Sequence, residues 1–259
     1  METIDIHWSS LAISFLLLAF PIIISFYLKL KLSKDIGISV VRMSVQLVLI
    51  GIFLQYLFKW NNAFVNIGWL MVMIITAVFS AAKNAEIKLS FFLLPALIAF
   101  TFSTFFIIFF INLFVLKIPN IFEAKYLVVL SGMLLGNVLR GNIIGINSFY
   151  SNLKKDEAYY QYLLSTGATQ IEALLPYLRN SMRLALSPTI ATMATMGLVA
   201  LPGMMTGTIL GGSSPLVAIK YQIMIMIAIF SCTNISVLGT IYLSLKKSFN
   251  EYGILKAEM

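Results

Sequence analysis

The sequence predicts an all-α fold of about seven membrane-spanning helices, and three observations carry that prediction. Of 259 residues, 60% are hydrophobic and 11% charged, and the mean hydropathy is +0.94, far more apolar surface than a soluble core can hide. The apolar residues form continuous windows of bilayer-crossing length, ~20 residues. They do not alternate with polar residues over ~10-residue segments, which excludes a membrane barrel.

The first window, near 8–28, follows METIDIHWSS and ends in basic YLKLKLSK without a small-residue cleavage site, so it reads as a retained span. The next four lie near 38–58, 64–82, 89–116 and 126–150, and the last two near 184–210 and 217–245. With the N-terminus outside, Lys29, Lys31, Lys34, Lys83, Lys88, Lys154, Lys155, Arg179, Arg183, Lys246, Lys247 and Lys256 face the cytoplasm. Lys59, Lys117, Lys125 and Lys220 face outward, and this asymmetry puts the C-terminus in the cytoplasm. The net charge of +8 is then the basic bias of cytoplasmic loops, not a nucleic-acid face. The outer connections, such as FKWNNAF and LKIPNIFEAK, are short and hold no folded domain. The predicted place is the inner (cytoplasmic) membrane, with function inside the bilayer or on the cytoplasmic face.

Polar residues inside the windows mark candidate sites. A charged side chain near the bilayer centre costs about 2.5–3.5 kcal/mol unless it meets protein or water. Span two carries Ser39, Arg42 and Gln46 on one face; Arg42 is close enough to the edge either to snorkel or to serve function. Span five carries Arg140 midway, sharing a face with Asn137, Gly141, Ile144, Asn147 and Ser148. No acidic residue lies deep in any span to neutralise these arginines, so the face of Arg140 is expected to line a substrate path. The same helix holds GMLLG (132–136) and GNIIG (141–145), small-residue pairs that let helices approach closely.

Span six carries Thr189, Thr192 and Thr195 and then runs into GLVALPGMMTGTILGG, a proline and five glycines where leucines would be ordinary. Gly203, Gly207 and Gly211 lie four apart on one face and read either as a tight helix crossing or as part of a cavity-lining helix. Pro202 frees a carbonyl and is expected to kink that helix where it bends during alternating access. Met204 and Met205 are soft donors beside the break, but methionine in a 13-Met chain reads as packing. A lone His7 and a single Cys232 build no metal site and no disulfide framework, and no metal ligand is assigned.

The one long connection, 151–183, is helical and amphipathic, with Tyr160, Leu164, Ala168, Ile171, Leu175, Leu178 and Met182 at helical spacing. Gly167 is expected to end one helix, Thr169 and Glu172 to form a capping box opening the next, and Pro176 to interrupt that one, leaving a short helix near 170–175. One or two turns cannot stand alone, so this piece needs a surface to dock on, in lipid or on a protein partner.

YLLSTGATQIEALLPYLRNSM resembles the cytoplasmic coupling region of ABC-transporter permeases. RMSVQL (42–47), SGMLLGN (131–137), LSTGAT (164–169) and GLVALPGMMTGTILGGSSP (197–215) are similar to the FetB-type iron-export permease family, with its plant aluminium-tolerance relatives. That resemblance implies a single transmembrane domain over 1–259, working as a homodimer with a separate ABC ATPase subunit that carries ATP-Mg. It implies export of iron or a metal chelate, with Gly167, Thr169, Glu172 and Pro176 coupling to the ATPase. No G-x-x-x-x-G-K-[ST] loop occurs in the chain, so it cradles no ATP phosphates in that way and no cofactor of its own is expected. Without carboxylates or histidine in the spans, a partly ligated or anionic form of the metal suits Arg42 and Arg140 better than a bare ion.

Other classes fit less well. A secondary transporter usually shows repeats and an intramembrane acid relay, and neither is evident. An enzyme wants a base or metal cluster beyond one peripheral histidine. A seven-span receptor would not be expected to carry a glycine-broken sixth span. An ABC exporter of another solute, such as a nucleotide sugar, remains the alternative reading.

Overall fold

The computed structural model describes residues 6–85, 88–250 and 253–256, and the acidic stretch METID used above lies outside them. Among the described residues there are ten α-helices and no strand, only two isolated bridges. Six helical runs are long and apolar enough to cross a membrane: Trp8–Tyr27, Ser33–Trp60, Ala63–Asn84, Phe91–Val115, Ala124–Lys155 and Pro215–Ser248. The chain is a multi-pass helical membrane protein.

The first run is α1 (Trp8–Ser14) and α2 (Ala19–Tyr27) joined by a tighter 3-10 stretch, and α3 (Ser33–Trp60) returns beside it. These two runs bury 6% and 0% of their most apolar stretches, so their apolar faces are left for surroundings outside the chain. Asn61, in the left-handed conformation at φ 43°, ends α3, and the Asn62 side chain accepts from the Phe64 and Val65 amides to start α4 (Ala63–Asn84). Asn61 Oδ1 also accepts from the Ala124 amide at 2.8 Å, tying this corner to the start of α6 (Ala124–Lys155). The asparagine pair in FKWNNAF is therefore a joint between three helices.

The core is built by α4, α5 (Leu89–Phe110, ending in a π-helical turn Ile111–Val115), α6 (Ala124–Lys155), α8 (Gln170–Thr195) and α10 (Pro215–Ser248). At the contact of α6 with α10, a Cβ on Gly141 would collide with the Thr233 side chain, and one on Gly145 would lie 2.6 Å from Val237 Cγ1 and 3.2 Å from Ala185 Cβ. GNIIG is thus a true close approach. GMLLG is not: Gly136 has nothing within 4 Å and Gly132 only Met73 Cε at 3.5 Å. A few polar groups buried between these helices pair across them. Asn142 Nδ2 donates to Ser236 Oγ at 3.0 Å, and Tyr150 Oη lies 2.7 and 2.8 Å from the hydroxyls of Ser244 and Ser248.

The segment after span five departs from expectation. α6 runs on to Lys155, α7 (Glu157–Ser165) follows, and its buried Tyr160 donates to the Gly253 carbonyl at 2.8 Å. Gly167, at φ 96°, then closes α7: the Ala168 amide donates to the Leu163 carbonyl and the Gly167 amide to that of Leu164. The capping box forms as expected, but Pro176 does not interrupt the helix it opens. α8 continues as one helix for 26 residues through both Pro176 and Pro188. A mid-helix proline costs roughly 3 kcal/mol. Here the carbonyl it strands belongs to exposed Glu172, where solvent can bond it, while Ala173, Leu174, Tyr177 and Ser181 hold the helix down by burial. The short helix near 170–175 is the first part of a long one.

The sixth window, 184–210, is divided rather than kinked. α8 stops at Thr195, residues 196–202 are non-helical, and Pro202 stands at the N-cap of α9 (Gly203–Leu210). Gly197 takes the chain out of the helix at φ 86°. Gly203, Gly207 and Gly211 make no helix crossing within the chain: the first two have nothing within 4 Å, and Gly211 is near only α9's own carbonyls.

Candidate functional site

The division of the sixth window opens a cavity of 410 Å³ between α6, α8 and α10, with Pro202 and Met204 at the start of α9 on its wall. Each long helix contributes one polar stripe. From α6 come Asn137 and Arg140, one turn apart by helical spacing; from α8 come Thr189 and Thr192; from α10 comes Gln222. Pro188 also lines it, and the Thr192 hydroxyl donates to the Pro188 carbonyl at 2.9 Å. Asn137 Nδ2 donates to Met133 O at 2.9 Å, a bond to its own helix that holds the amide along the stripe.

The electrostatics follow from which charges are missing. α6, α9 and α10 contain no aspartate or glutamate, and the single acid of α8, Glu172, lies sixteen residues before Pro188. Sixteen residues of helix are about 24 Å. The cavity therefore has a guanidinium on its wall and no carboxylate from its own helices to neutralise it. Gln222 is 6% exposed, its Nε2 meets only the Met196 thioether at 3.7 Å, and its Oε1 has no partner.

Several residues expected together are not. Arg42 and Gln46 lie together on the exposed face of α3, and Gln46 also borders a separate 700 Å³ crevice lined mainly by apolar side chains of α3, α4 and α6. Neither lines the cavity of Arg140. Asn147, two turns along α6, is exposed and accepts from Ser151 Oγ at 2.9 Å; it too lies off the cavity wall. Met204 is on the wall and half-buried Met205 is not. Gln222 was overlooked. Its signal is a lone amide inside the apolar run QIMIMIAIF, the same kind of signal that marked Arg140. No cluster of three histidine, cysteine or acidic side chains fit to hold a metal occurs among the described residues.

At the α7 end of the bundle, the corner 166–169 stands exposed apart from half-buried Ala168. Glu172 Oε2 accepts from the Thr169 amide at 2.8 Å and its hydroxyl at 2.7 Å, and the Glu172 amide donates back to Thr169 Oγ1 at 3.4 Å. These bonds hold the Glu172 carboxyl below its usual pKa, the Thr169 hydroxyl contributing most. Gly167, Thr169 and Glu172 thus form one rigid outward corner, with Pro176 further along α8.

A bundle of long apolar helices, broken at one point beside a polar cavity, is the architecture of a multi-pass membrane protein. The comparison with protein families makes this particular. The model described as Uncharacterised protein family (UPF0014) matches residues 8–249, and the chain belongs to that family. It is 35% identical over 252 residues to the protein named Probable iron export permease protein FetB of Escherichia coli (strain K12), covering 96% of this chain and 95% of that one. It is 30% identical over 228 residues to Protein ALUMINUM SENSITIVE 3 of Arabidopsis thaliana, covering 86% and 80%. It is 28% identical over 236 residues to UPF0014 membrane protein YjkA of Bacillus subtilis (strain 168), covering 88% and 92%. No solved structure matches significantly.

Proposed function

We propose that this chain is the permease subunit of an ATP-driven exporter of iron or a metal chelate from the cytoplasm. The observation that carries the reading is the polar cavity of Arg140, Asn137, Thr192 and Gln222 beneath a broken helix, in a chain similar to a protein named as an iron export permease. The whole chain acts as one transmembrane domain in the inner membrane, and transport rather than catalysis is its task.

The energy comes from a separate ABC ATPase that binds ATP-Mg and docks on the corner at Gly167, Thr169 and Glu172. The tight α7 end and the capping box back to back support this, because a corner that transmits force must not fray.

The chain works as a homodimer. Residues 196–202 leave irregular backbone beside Leu198 and Val199, which are 93% and 81% exposed. Irregular backbone at membrane depth requires protein or water around it, and a second copy supplies the protein.

The test is ATPase stimulation and iron content together. The permease and its ATPase, reconstituted in vesicles, should hydrolyse ATP faster with iron supplied on the nucleotide side, and cells lacking both should accumulate iron. Equal cellular iron with and without the pair, and no metal-dependent stimulation, would remove iron as the cargo.

A further inference from the structure

We propose that the cavity between α6, α8 and α10 binds an oxyanion with a hydroxyl close to its charged group, a hydroxylated carboxylate or a phosphate ester. The proposal deepens the transport reading and rests on it only for the purpose of the binding.

Three features of the wall point the same way. Arg140, exposed on α6, is one of the residues that line the cavity, and the helices around it bring no carboxylate near. A planar fork of donors favours carboxylate or phosphate oxygens. The start of α9 is on the wall through Pro202 and Met204. Its first backbone bond runs from the Thr206 amide to the Pro202 carbonyl, and Pro202 has no side-chain cap to offer. The amides of Gly203, Met204 and Met205 are therefore the uncapped positive end of a helix, a place for negative charge.

Gln222 is the independent observation, and it specifies more than charge. Its amide is 94% buried, yet its oxygen has no partner and its nitrogen only a thioether. An unsatisfied buried amide is costly, and on the cavity wall an occupant that bonds to it offsets that cost. A hydroxyl, as both donor and acceptor, satisfies the amide in either of its two orientations. The volume of 410 Å³ lies within the ~300–1,000 Å³ range of small-molecule sites. A bare divalent cation fits poorly, since it would face both Arg140 and the positive end of α9.

The test uses the full-length permease in phosphatidylcholine nanodiscs, with no ATPase and no iron, and radiolabelled sn-glycerol 3-phosphate and citrate as probes. Both should bind saturably. Arg140→Gln should weaken both by at least ~10-fold, while Arg140→Lys, which keeps the charge without the fork, should fall between. Gln222→Leu should lower affinity for glycerol 3-phosphate several-fold and leave that for methyl phosphate, which lacks the hydroxyl, unchanged. The Arg140 variants should keep the wild-type melting temperature, and Gln222→Leu should keep or raise it.

If phosphatidylglycerol in the nanodisc competes with glycerol 3-phosphate in the wild type but is not retained by Arg140→Gln, the site is confirmed and a lipid headgroup is its source. Binding that is absent in the wild type, or equal in the wild type and both Arg140 variants, overturns the proposal. So does ferrous ion binding alone with an affinity indifferent to Arg140→Gln while both anions fail. Because neither ATPase nor iron takes part, failure here leaves ATP-coupled export standing, and failure of coupling leaves this site standing.

Discussion

Gly145→Ala is the sharpest probe of how the cavity wall is held. The added methyl would lie 2.6 Å from Val237 Cγ1 and 3.2 Å from Ala185 Cβ, where carbon atoms need about 3.5–4.0 Å. Val237 is fully buried and stiff at χ1, so α6 must retreat by roughly 1 Å from α10 and α8. Overpacking of this kind costs about 1–3 kcal/mol, offset by about 0.5–1 kcal/mol because alanine is the better helix former. The net expectation is a loss of about 1–2 kcal/mol. Gly136→Ala, where the same methyl meets nothing within 4 Å, should be neutral or gain about 0.5 kcal/mol. Adding Val237→Ala to Gly145→Ala should recover about 1 kcal/mol relative to the sum of the two single changes. Reversible unfolding in mixed micelles, followed by tryptophan fluorescence, measures all four proteins. Equal costs at Gly145 and Gly136, or strict additivity in the double variant, would refute the close approach of α6 to α10.

Further outcomes follow from the corner and the cavity. Thr169→Ala removes the cap of α8 and should cost about 1 kcal/mol, read by the same unfolding assay. The folded pKa of Glu172 is depressed, so its contribution is complete above the ordinary carboxylate range and is lost as pH falls through the depressed value. The stability difference between the wild type and Glu172→Gln should therefore vanish in acid, and a difference that persists there would assign it to packing. Cysteines placed at Asn137 and Thr192, on the cavity wall, should be protected from a membrane-impermeant thiol reagent by bound substrate. One at Asn147, off that wall, should label at the same rate with and without it; the native Cys232 is fully buried and gives no background.

The helical class and most spans were legible because a bilayer imposes length and apolarity on every crossing segment. The corner at Gly167 and Thr169 was legible because capping is local chemistry, decided by residues within one turn. The substrate face was only half legible. Helical spacing placed Asn137 and Arg140 on one stripe, but spacing does not tell how far along its length a neighbour packs. Asn147 shares the stripe and lies beyond the cavity. Arg42 has the same chemistry as Arg140 on a helix that buries almost nothing against the core, and composition cannot separate them. The glycine pairs make the same point: GNIIG meets Thr233 and Val237, GMLLG meets at most a methionine tip, and the two patterns are identical on paper.

Prolines show why the break itself was misplaced. Pro176 and Pro188 each remove one donor from α8, yet the helix survives both, because a single lost bond is a small defect in a helix anchored by buried residues on either side. Pro202 differs in its neighbourhood. It bars Leu201 from helical geometry and crowds the carbonyl of Leu198. Five residues earlier, Gly197 adopts φ 86°, which a side chain resists and glycine accepts without cost. Two exits so close leave too few residues between them for a helical turn to nucleate, so the chain between becomes a loop with one bridge, Met196 to Ala200, instead of a bend. A kinked helix would have kept its amides paired along the wall. The loop instead restarts a helix at Gly203, and that restart brings an uncapped helix start, through Pro202 and Met204, to the cavity that Arg140 and Gln222 also line.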